Sequence, residues 1–168
     1  MDFWQPDFVF KHHHIDYQIK RQKGPACSII AKENLDQLPE WFAIKSARED
    51  FIHGVANCTF LVAQKEDKNI GFVSYKEHFP GSFEIYVMGV LKEYHRKGIG
   101  RDLLAVGEMI LKKQGGKFLQ VKTLSDSHPD YYYGSTRQFY FEQGFVPVEE
   151  INALWGEQNP CLLLIKNI

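Results

Sequence analysis

Hydrophobic and polar residues alternate along the middle of this chain in a pattern that predicts β-strands. Residues 59–63 and 70–75 are rich in β-branched and aromatic residues, and the polar residues 66–69 between them indicate a hairpin turn. In residues 83–91 the alternation places Glu84 and Met88 on one face of a strand. Neighbouring strands are therefore expected in the centre of the fold.

The period becomes helical after Gly98. Apolar residues then recur at the spacing of one helix face, and Gly115-Gly116 supplies a stop. The apolar positions are Ile99, Leu103, Leu104, Val106, Ile110 and Leu111. The pattern further predicts a strand over 118–124, a polar loop over 125–130, a helix over 135–143, and strands near Val146 and Leu162. This order predicts a mixed α/β fold on one sheet.

The first part of the chain carries weaker signals. We expect residues 1–25 to form an N-terminal extension that packs on the domain, and residues 26–168 to form a single domain. Residues 26–31 favour a short strand and residues 46–55 favour a helix. Asn34 is expected to cap a helical turn.

Composition and charge narrow the function classes. The chain has 168 residues, of which 44% are hydrophobic, and its formal net charge of -1 provides no basic excess for binding nucleic acid. No apolar run reaches the roughly 20 residues of a membrane span, and we expect no leader segment. Cys27, Cys58 and Cys161 are odd in number and widely spaced, which argues against a disulfide framework. We expect a cytoplasmic protein that binds neither nucleic acid nor membrane.

A short histidine run, His12, His13 and His14, lies in the N-terminal extension. Without further ligands nearby such a run is a weak signal for a metal site, so we expect no metal in this protein.

The residues with the clearest chemistry are His95-Arg96-Lys97-Gly98-Ile99-Gly100-Arg101, between a strand and a helix. Backbone N–H groups at a helix N-terminus carry partial positive charge, and glycine leaves room for an anion to approach. Arg96, Lys97 and Arg101 add full charges. We predict a pyrophosphate site; a solvent-exposed turn with a purely structural role is the alternative.

Two other glycine-rich phosphate motifs do not fit this turn. The dinucleotide fingerprint needs a third glycine where the chain has Leu103, and the P-loop pattern is absent.

The stretch from Val90 to Leu104 resembles the coenzyme A signature of the GNAT superfamily of N-acetyltransferases, which is written Q/R-x-x-G-x-G/A. Gly98 and Gly100 match its glycines, and His95 stands where glutamine or arginine is usual. Phe139-Tyr140-Phe141-Glu142-Gln143-Gly144-Phe145 resembles the second landmark of the family, a tyrosine four residues before a Gly-Phe pair. Much of the chain is also similar to a bacterial subgroup with largely unassigned substrates.

This resemblance implies a GNAT-like, mostly antiparallel central sheet that is flanked by helices and splayed between the family's fourth and fifth strands, here 83–91 and 118–124. It also implies that acetyl-CoA (coenzyme A) is the acyl donor, with its pantetheine arm along the fourth strand, and that no metal takes part. The residues expected to bind the donor are Met88, Gly89, Val90, His95, Arg96, Lys97, Gly98, Ile99, Gly100 and Arg101.

The resemblance also suggests catalytic residues. Tyr140 matches the family tyrosine that protonates the departing thiolate, and a phenol with its ordinary pKa of about 10 is protonated at neutral pH. Glu84 is a candidate for the general base because it shares a strand face with Met88. His128, in the loop after the fifth strand, and a water molecule are the alternatives, which stay open at this stage.

The sequence therefore predicts an acetyl-CoA-dependent N-acetyltransferase that acts on a primary amine of a small molecule or peptide, by direct attack in a ternary complex. An acyl-CoA-binding sensor or interaction module with little catalysis is the alternative. The acceptor itself is not predicted, because specificity lies in loops whose placement the sequence does not give. A homodimer is also left open.

Overall fold

The computed structural model describes residues 8–12 and 15–168. Within them it has four helices: α1 (Pro25–Leu35), α2 (Lys45–Gly54), α3 (Ile99–Lys113) and α4 (Tyr131–Glu142). The strands in the same residues are β1 (Phe8–His12), β2 (Ile15–Gln22), β3 (Thr59–Lys65), β4 (Lys68–Phe79), β5 (Ser82–Val90), β6 (Phe118–Leu124), β7 (Val146–Ile151) and β8 (Cys161–Asn167). Of the histidine run, His13 and His14 lie outside the described residues.

The strands form one sheet in the order β1-β2-β3-β4-β5-β6-β8-β7. The pairings β1–β2, β2–β3, β3–β4, β6–β8 and β7–β8 are antiparallel. Strands β5 and β6 are parallel, and their pairing runs from Ser82↔Phe118 to Ile85↔Val121. The predicted α/β class, with a mostly antiparallel sheet and flanking helices, is confirmed. The predicted fourth and fifth strands are β5 and β6.

The chain is arranged in two compact units, which are described separately. The first comprises the described residues up to Lys76 together with Tyr86–Ile110, and the second comprises Glu77–Ile85 and Leu111–Ile168. The single domain expected over residues 26–168, and the packing of residues 1–25 upon it, stay predictions.

In the first unit, α1 packs on β3, β4 and β5 through an apolar cluster. The rings of Phe60 and Phe72, on neighbouring strands, stack with centroids 5.2 Å apart. The buried residues of this cluster are Cys27, Ile30, Ala31, Leu35, Val55, Phe60, Val62, Phe72 and Val87. Because complete burial of a large apolar side chain contributes about 1.5–3 kcal/mol, such a cluster is sufficient to fix α1 against the strands.

Helix α3 is buried along the stripe that the sequence predicts, with all six apolar positions shielded from solvent. The close contact of α3 with β4 depends on Gly107. The Tyr75 hydroxyl donates to the Leu103 carbonyl oxygen at 3.4 Å, and a methyl group added at Gly107 would lie 2.0 Å from that hydroxyl oxygen. Gly107 therefore provides the space in which a strand tyrosine contacts the helix.

In the second unit, α4 is fixed at its start and on its inner face. Asp130 caps the helix by accepting a hydrogen bond from the Tyr133 N–H at 3.0 Å. Arg137 donates to the Leu124 carbonyl oxygen at 2.8 Å, which ties the helix to the end of β6. The buried apolar residues of this unit include Phe83, Ile85, Leu119, Val121, Leu124, Tyr140, Phe145, Cys161 and Leu164.

The structure corrects the prediction for residues 26–31, which are helical and not a strand. Helix α1 begins at Pro25, after Gly24 with φ of 71°. Proline suits the first position of a helix because that position needs no N–H and its φ is already helical. Asn34 is not a cap either: it lies inside α1, and its side-chain amide donates to the Ile30 carbonyl oxygen at 3.2 Å.

Most other elements are confirmed within a few residues of their predicted bounds. Helix α4 begins at Tyr131 and not near Ser135, and β4 extends to Phe79 and not only to residue 75. Strands β1 and β2 were not predicted. The cap that starts α4, Asp130, lies at the end of the stretch predicted as a loop. All three cysteines are free, and no helix in the described residues is long and apolar enough to cross a membrane.

The contact between Gly107 and Tyr75 yields a stability prediction. Gly107→Ala should lower the free energy of unfolding by about 1–3 kcal/mol, because overpacking against a buried ring outweighs the better helix propensity of alanine. Denaturant titration measures the loss. The matched control is Gly134→Ala in α4, where the added methyl would meet only Arg137 at 3.8 Å and should stabilise slightly.

A double variant identifies the clash. In a Tyr75→Leu background, Gly107→Ala should cost much less than in the wild-type protein, since the ring that obstructs the methyl is gone. An equal cost in both backgrounds would contradict this account of the packing.

Candidate active site

The turn that joins β5 to α3 has a constrained backbone. After β5 a 3-10 turn, Lys92–Tyr94, leads through residues 95–98 into the helix. Arg96 has φ of 61° and Gly98 has φ of 84°. A positive φ costs a residue other than glycine or asparagine about 1 kcal/mol or more. The conformation of Arg96 must therefore be stabilised by the structure around the turn.

The amides at the start of α3 face outward along the helix axis. The first backbone hydrogen bond into the helix runs from the Asp102 N–H to the Gly98 carbonyl oxygen at 3.0 Å. The N–H groups of Ile99 and Gly100 precede it, so they have no intrahelical acceptor. Gly98 and Gly100 carry no side chain to cover these donors. The backbone thus forms a cradle that suits an anion such as a diphosphate.

Arg96, Lys97 and Arg101 border the cradle with positive charge. The Lys97 ammonium lies 5.3 Å from the centroid of the Tyr94 ring, a cation–π distance. The Arg101 guanidinium lies beside Gly98, where an added methyl would be 3.0 Å from Nη2. The cradle therefore combines amide dipoles with nearby full charges.

Two ion pairs neutralise cations next to the cradle. Lys92 bonds Glu40 at 2.6 Å and Lys68 bonds Glu93 at 2.6 Å. These hydrogen bonds hold the pKa of each glutamate below its usual range. Lys92 and Lys68 therefore have carboxylate partners of their own.

His95 occupies the signature position in an unexpected way. One ring nitrogen, Nε2, lies 2.6 Å from the Val90 carbonyl oxygen, to which it must donate. The ring also packs edge-on against Trp41 with centroids 5.5 Å apart. The side chain of His95 is thus turned back to the end of β5, and ties the turn to that strand.

Met88, Gly89 and Val90 form the end of β5, with Gly89 buried and its neighbours half-buried. A methyl group added at Gly89 would lie 3.0 Å from Leu38 Cδ1. The packing of the Leu38 side chain therefore already requires a glycine at position 89. The proposed contact of this strand with a ligand stays a prediction.

Tyr140 lies in the second unit and is 7% exposed. Its ring packs edge-on against Phe145 with centroids 5.5 Å apart, and the Phe145 N–H donates to its carbonyl oxygen at 3.1 Å. Among the described residues no hydrogen bond to the Tyr140 hydroxyl is found. Burial, aided by Tyr133, raises the pKa of Tyr140, so the phenol keeps its proton well above neutral pH.

Glu84 also lies in the second unit and is buried. Its Oε1 accepts from Lys122 Nζ at 2.6 Å, and its Oε2 is 2.5 Å from His78 Nε2. His78 and Lys122 were not singled out from the sequence. The signal for Lys122 was a charge within a predicted strand, two residues beyond Gln120, which pairs with Glu84.

A cavity of about 680 Å³ opens in the second unit beside His128. Its lining residues are Ser127, His128, Pro129, Asn152, Glu157, Gln158 and Pro160. The Nδ1 atom of His128 is buried without a hydrogen-bond partner among the described residues. The described residues contain no cluster of three His, Cys, Asp or Glu side chains that would hold a metal ion.

The comparisons with known proteins identify the family to which the chain belongs. A family model described as "Acetyltransferase (GNAT) domain" matches residues 56–147, which is more than half of the chain. The chain therefore belongs to the GNAT acetyltransferase family, an enzyme family that uses acetyl-CoA. No curated protein matches the chain.

Solved structures share the fold at low sequence identity. An aminoglycoside 6'-N-acetyltransferase complexed with coenzyme A has a TM-score of 0.70 at 16% identity, over 89% of this chain and 96% of that one. The ribosomal-protein-S18-alanine N-acetyltransferase from Escherichia coli has a TM-score of 0.72 at 15% identity, over 90% of this chain and 94% of that one. Ard1 from Thermoplasma volcanium has a TM-score of 0.71 at 13% identity, over 90% and 97% of the two chains.

Three tyrosines with a raised pKa, the buried Tyr17 and Tyr140 and the half-buried Tyr133, give a prediction about alkaline stability. Burial raises the pKa of Tyr133 to about 12, and burial is also the largest cause of the raised pKa of Tyr17 and Tyr140. Below pH of about 10 the folded and the unfolded state both keep these protons, so the tyrosines do not make the free energy of unfolding depend on pH. Above it the unfolded state loses them first, and the free energy of unfolding should fall by about 1.4 kcal/mol per pH unit and per tyrosine.

Urea titrations at pH 9, 10 and 11 measure this slope. Tyr133→Phe removes one of the three groups and should make the fall less steep. A slope that is the same in the variant and the wild-type protein would contradict the raised pKa of Tyr133.

Proposed function

We propose that this protein is an acetyl-CoA-dependent N-acetyltransferase that transfers an acetyl group to a primary amine by direct attack in a ternary complex. The observation that carries the proposal is the cradle of amides and cations at residues 95–101, at the start of α3. In a chain of the GNAT family, such a cradle suits the diphosphate of acetyl-CoA. When bound, acetyl-CoA supplies the activated acetyl thioester.

The protein's own groups would hold this donor at two places. Backbone N–H groups of Ile99 and Gly100 would bind the diphosphate, with Arg96, Lys97 and Arg101 adding charge. The backbone of Met88, Gly89 and Val90 would pair with the pantetheine arm as an added strand does. His95 would contribute by joining these two places, since it bonds the Val90 carbonyl oxygen.

Tyr140 would donate its proton to the sulfur that leaves. Its raised pKa supports this role, because a donor must still hold its proton at the pH of the reaction. Burial raises the pKa of Cys161 to about 11 and also raises that of Cys27, so both thiols are poor nucleophiles at neutral pH. For these two thiols, this favours direct attack by the amine over a covalent acyl-enzyme.

The proton of the attacking amine has two proposed destinations. Glu84 would take the proton through His78. Nε2 of His78 bonds the Glu84 carboxylate, and Nδ1, on the other side of the ring, is turned away from it. His128 would take it directly if the acceptor lies in the cavity beside it. That cavity carries the Glu157 carboxylate, which suits a cationic amine of a small molecule or peptide.

The test of the function is thiol release. Acetyl-CoA is mixed with the protein and a panel of amines, namely a polyamine, an aminoglycoside, amino acids and a peptide with a free N-terminus. Free thiol should accumulate only with a suitable amine, and mass spectrometry should show the amine 42 Da heavier, as one acetyl group requires. Binding of acetyl-CoA without any thiol release would favour a sensor, and no binding would overturn the proposal.

Tyr140→Phe tests the acid within the same assay. Turnover should fall by about 100-fold or more, while the Kd for acetyl-CoA changes by less than about twofold. Tyr75→Phe is the control, since it also removes one hydroxyl from a buried tyrosine and should retain turnover. Unchanged turnover in Tyr140→Phe would remove this residue from the mechanism.

Glu84→Gln and His128→Asn separate the two candidate bases. The variant that removes the base should lower kcat/KM by about 100-fold and lose the acidic limb of the pH profile. The other variant should keep the wild-type kcat/KM and the acidic limb of the profile. If neither variant loses that limb, the proton goes to solvent water and both assignments fail.

A further inference from the structure

Three titratable side chains from three different strands meet in the second unit. Glu84 on β5 bonds Lys122 on β6 through Oε1 at 2.6 Å, and its Oε2 lies 2.5 Å from Nε2 of His78 on β4. The Glu84 side chain is 10% exposed, and those of Lys122 and His78 are 24% and 31% exposed. One carboxylate, largely shielded from water, is therefore held between an ammonium and an imidazole.

Lys122 balances the charge of Glu84 whatever the state of the imidazole. A buried carboxylate is costly unless it is paired and hydrogen-bonded, and an ammonium does both. Without Lys122, the imidazolium form of His78 would have to supply the balancing charge, which would favour that form. With Lys122 in place, His78 does not need to keep a proton for this purpose.

The carboxylate also determines which nitrogen of His78 is reactive. An ionised carboxylate only accepts hydrogen bonds, so Nε2 must carry a hydrogen in both protonation states of the ring. In the neutral ring, Nδ1 then holds the lone pair, and it lies on the side of the ring turned away from Glu84. A carboxylate that orients an imidazole in this way prepares it to act as a general base.

Two further titratable side chains lie near this cluster. The Glu77 carboxylate accepts from the Gly81 N–H at 3.4 Å, in the turn after β4. Cys161 on β8 is completely buried within electrostatic reach of Lys122 and Glu84, and burial raises its pKa to about 11. A thiol with this pKa carries no charge at neutral pH, so it leaves the balance between Lys122 and Glu84 unchanged.

We propose that Lys122 is a positioning residue for proton transfer from the acceptor amine. It binds Oε1 and so leaves Oε2 to His78, and its charge allows the imidazole to change protonation state. The ammonium group of the acceptor passes a proton to Nδ1 of His78, and its nitrogen keeps the electron pair that attacks the acetyl carbon. The imidazolium then returns the proton to water. This inference rests on the proposed function and on the Glu84–His78 route within it.

The pH profile of thiol release, with an amine that the wild-type protein acetylates, tests this role. Lys122→Met should move the acidic limb of kcat/KM to higher pH by about one unit, because the unbalanced carboxylate then holds a proton on His78. Below the limb kcat/KM should thus fall by about tenfold, and well above the limb it should change far less. Loss of a merely structural ion pair would instead lower the profile equally at every pH, and that result would overturn the inference.

Two other variants separate the charge at this position from charge in general. Lys122→Arg keeps a cation and a donor for Oε1, so the limb should stay where it is in the wild-type protein. Lys117→Met removes the same charge from an exposed residue just before β6 and should leave the profile unchanged. A limb that moves as far in Lys117→Met as in Lys122→Met would contradict the proposed role.

NMR titration of the His78 ring, without donor or acceptor, gives a readout that does not depend on turnover. Its midpoint should move to higher pH in Lys122→Met, in the same direction as the limb. A midpoint that moves without the limb would assign the base to another group and overturn the inference. Thermal unfolding checks that Lys122→Met folds; should it not fold, Lys122→Gln takes its place, with the same shifts expected because it also removes the charge.

The outcomes also separate this inference from the function on which it rests. If the wild-type protein releases no thiol with any amine, the function fails and the inference fails with it. If the wild-type protein is active and the limb stays in place in Lys122→Met, only the inference fails. The function would then stand with His128 or water as the base.

Discussion

The anion site proposed at the first turn of α3 requires N–H groups without intrahelical acceptors on a helix that is held in one position. The unpaired N–H groups of a helix N-terminus do not help to hold that end in place, since they contribute nothing to folding until a ligand binds. The structure meets this constraint by fixing α3 from other sides. Tyr75 bonds the Leu103 carbonyl oxygen, Tyr17 bonds Asp102, and the apolar stripe is buried.

The backbone of the turn follows from the same constraint. Arg96 adopts a positive φ, whereas residues in helices and strands have a negative φ. The cost, about 1 kcal/mol or more, is small beside the contribution of a single buried side chain of the α3 stripe. A well-packed helix can therefore carry a strained turn at its N-terminus.

Much of this fold could be predicted from sequence because its central elements have clear periods. Apolar residues alternate along strands β3 to β6 and recur at helical spacing along α3, over enough residues for each period to be distinguished from chance. Helix α1 was missed because the β-favouring residues Ile29 and Ile30 outweighed the start signal of Gly24 and Pro25 in the interpretation. Tertiary packing on the sheet decides such a short segment, and propensity does not.

The candidate site could be predicted only where chemistry is local. The glycines and cations of residues 95–101 are adjacent in sequence, so their cradle was foreseen. The partners of Glu84 were not, because they depend on register: Lys122 reaches it only since Glu84 pairs with Gln120 in a parallel ladder. Contacts that arise from strand register or from distant segments, as Tyr17 with Asp102, leave no local pattern.

His95 shows how a departure from a family signature can be explained by structure. The signature position usually carries a longer polar side chain, and the imidazole instead donates to the Val90 carbonyl oxygen while it packs on Trp41. The bond links the last residue of β5 to the turn and so restrains the strand end relative to the start of α3. For the binding mode proposed above, in which one long ligand contacts both places, this link would fix the spacing between them before the ligand binds.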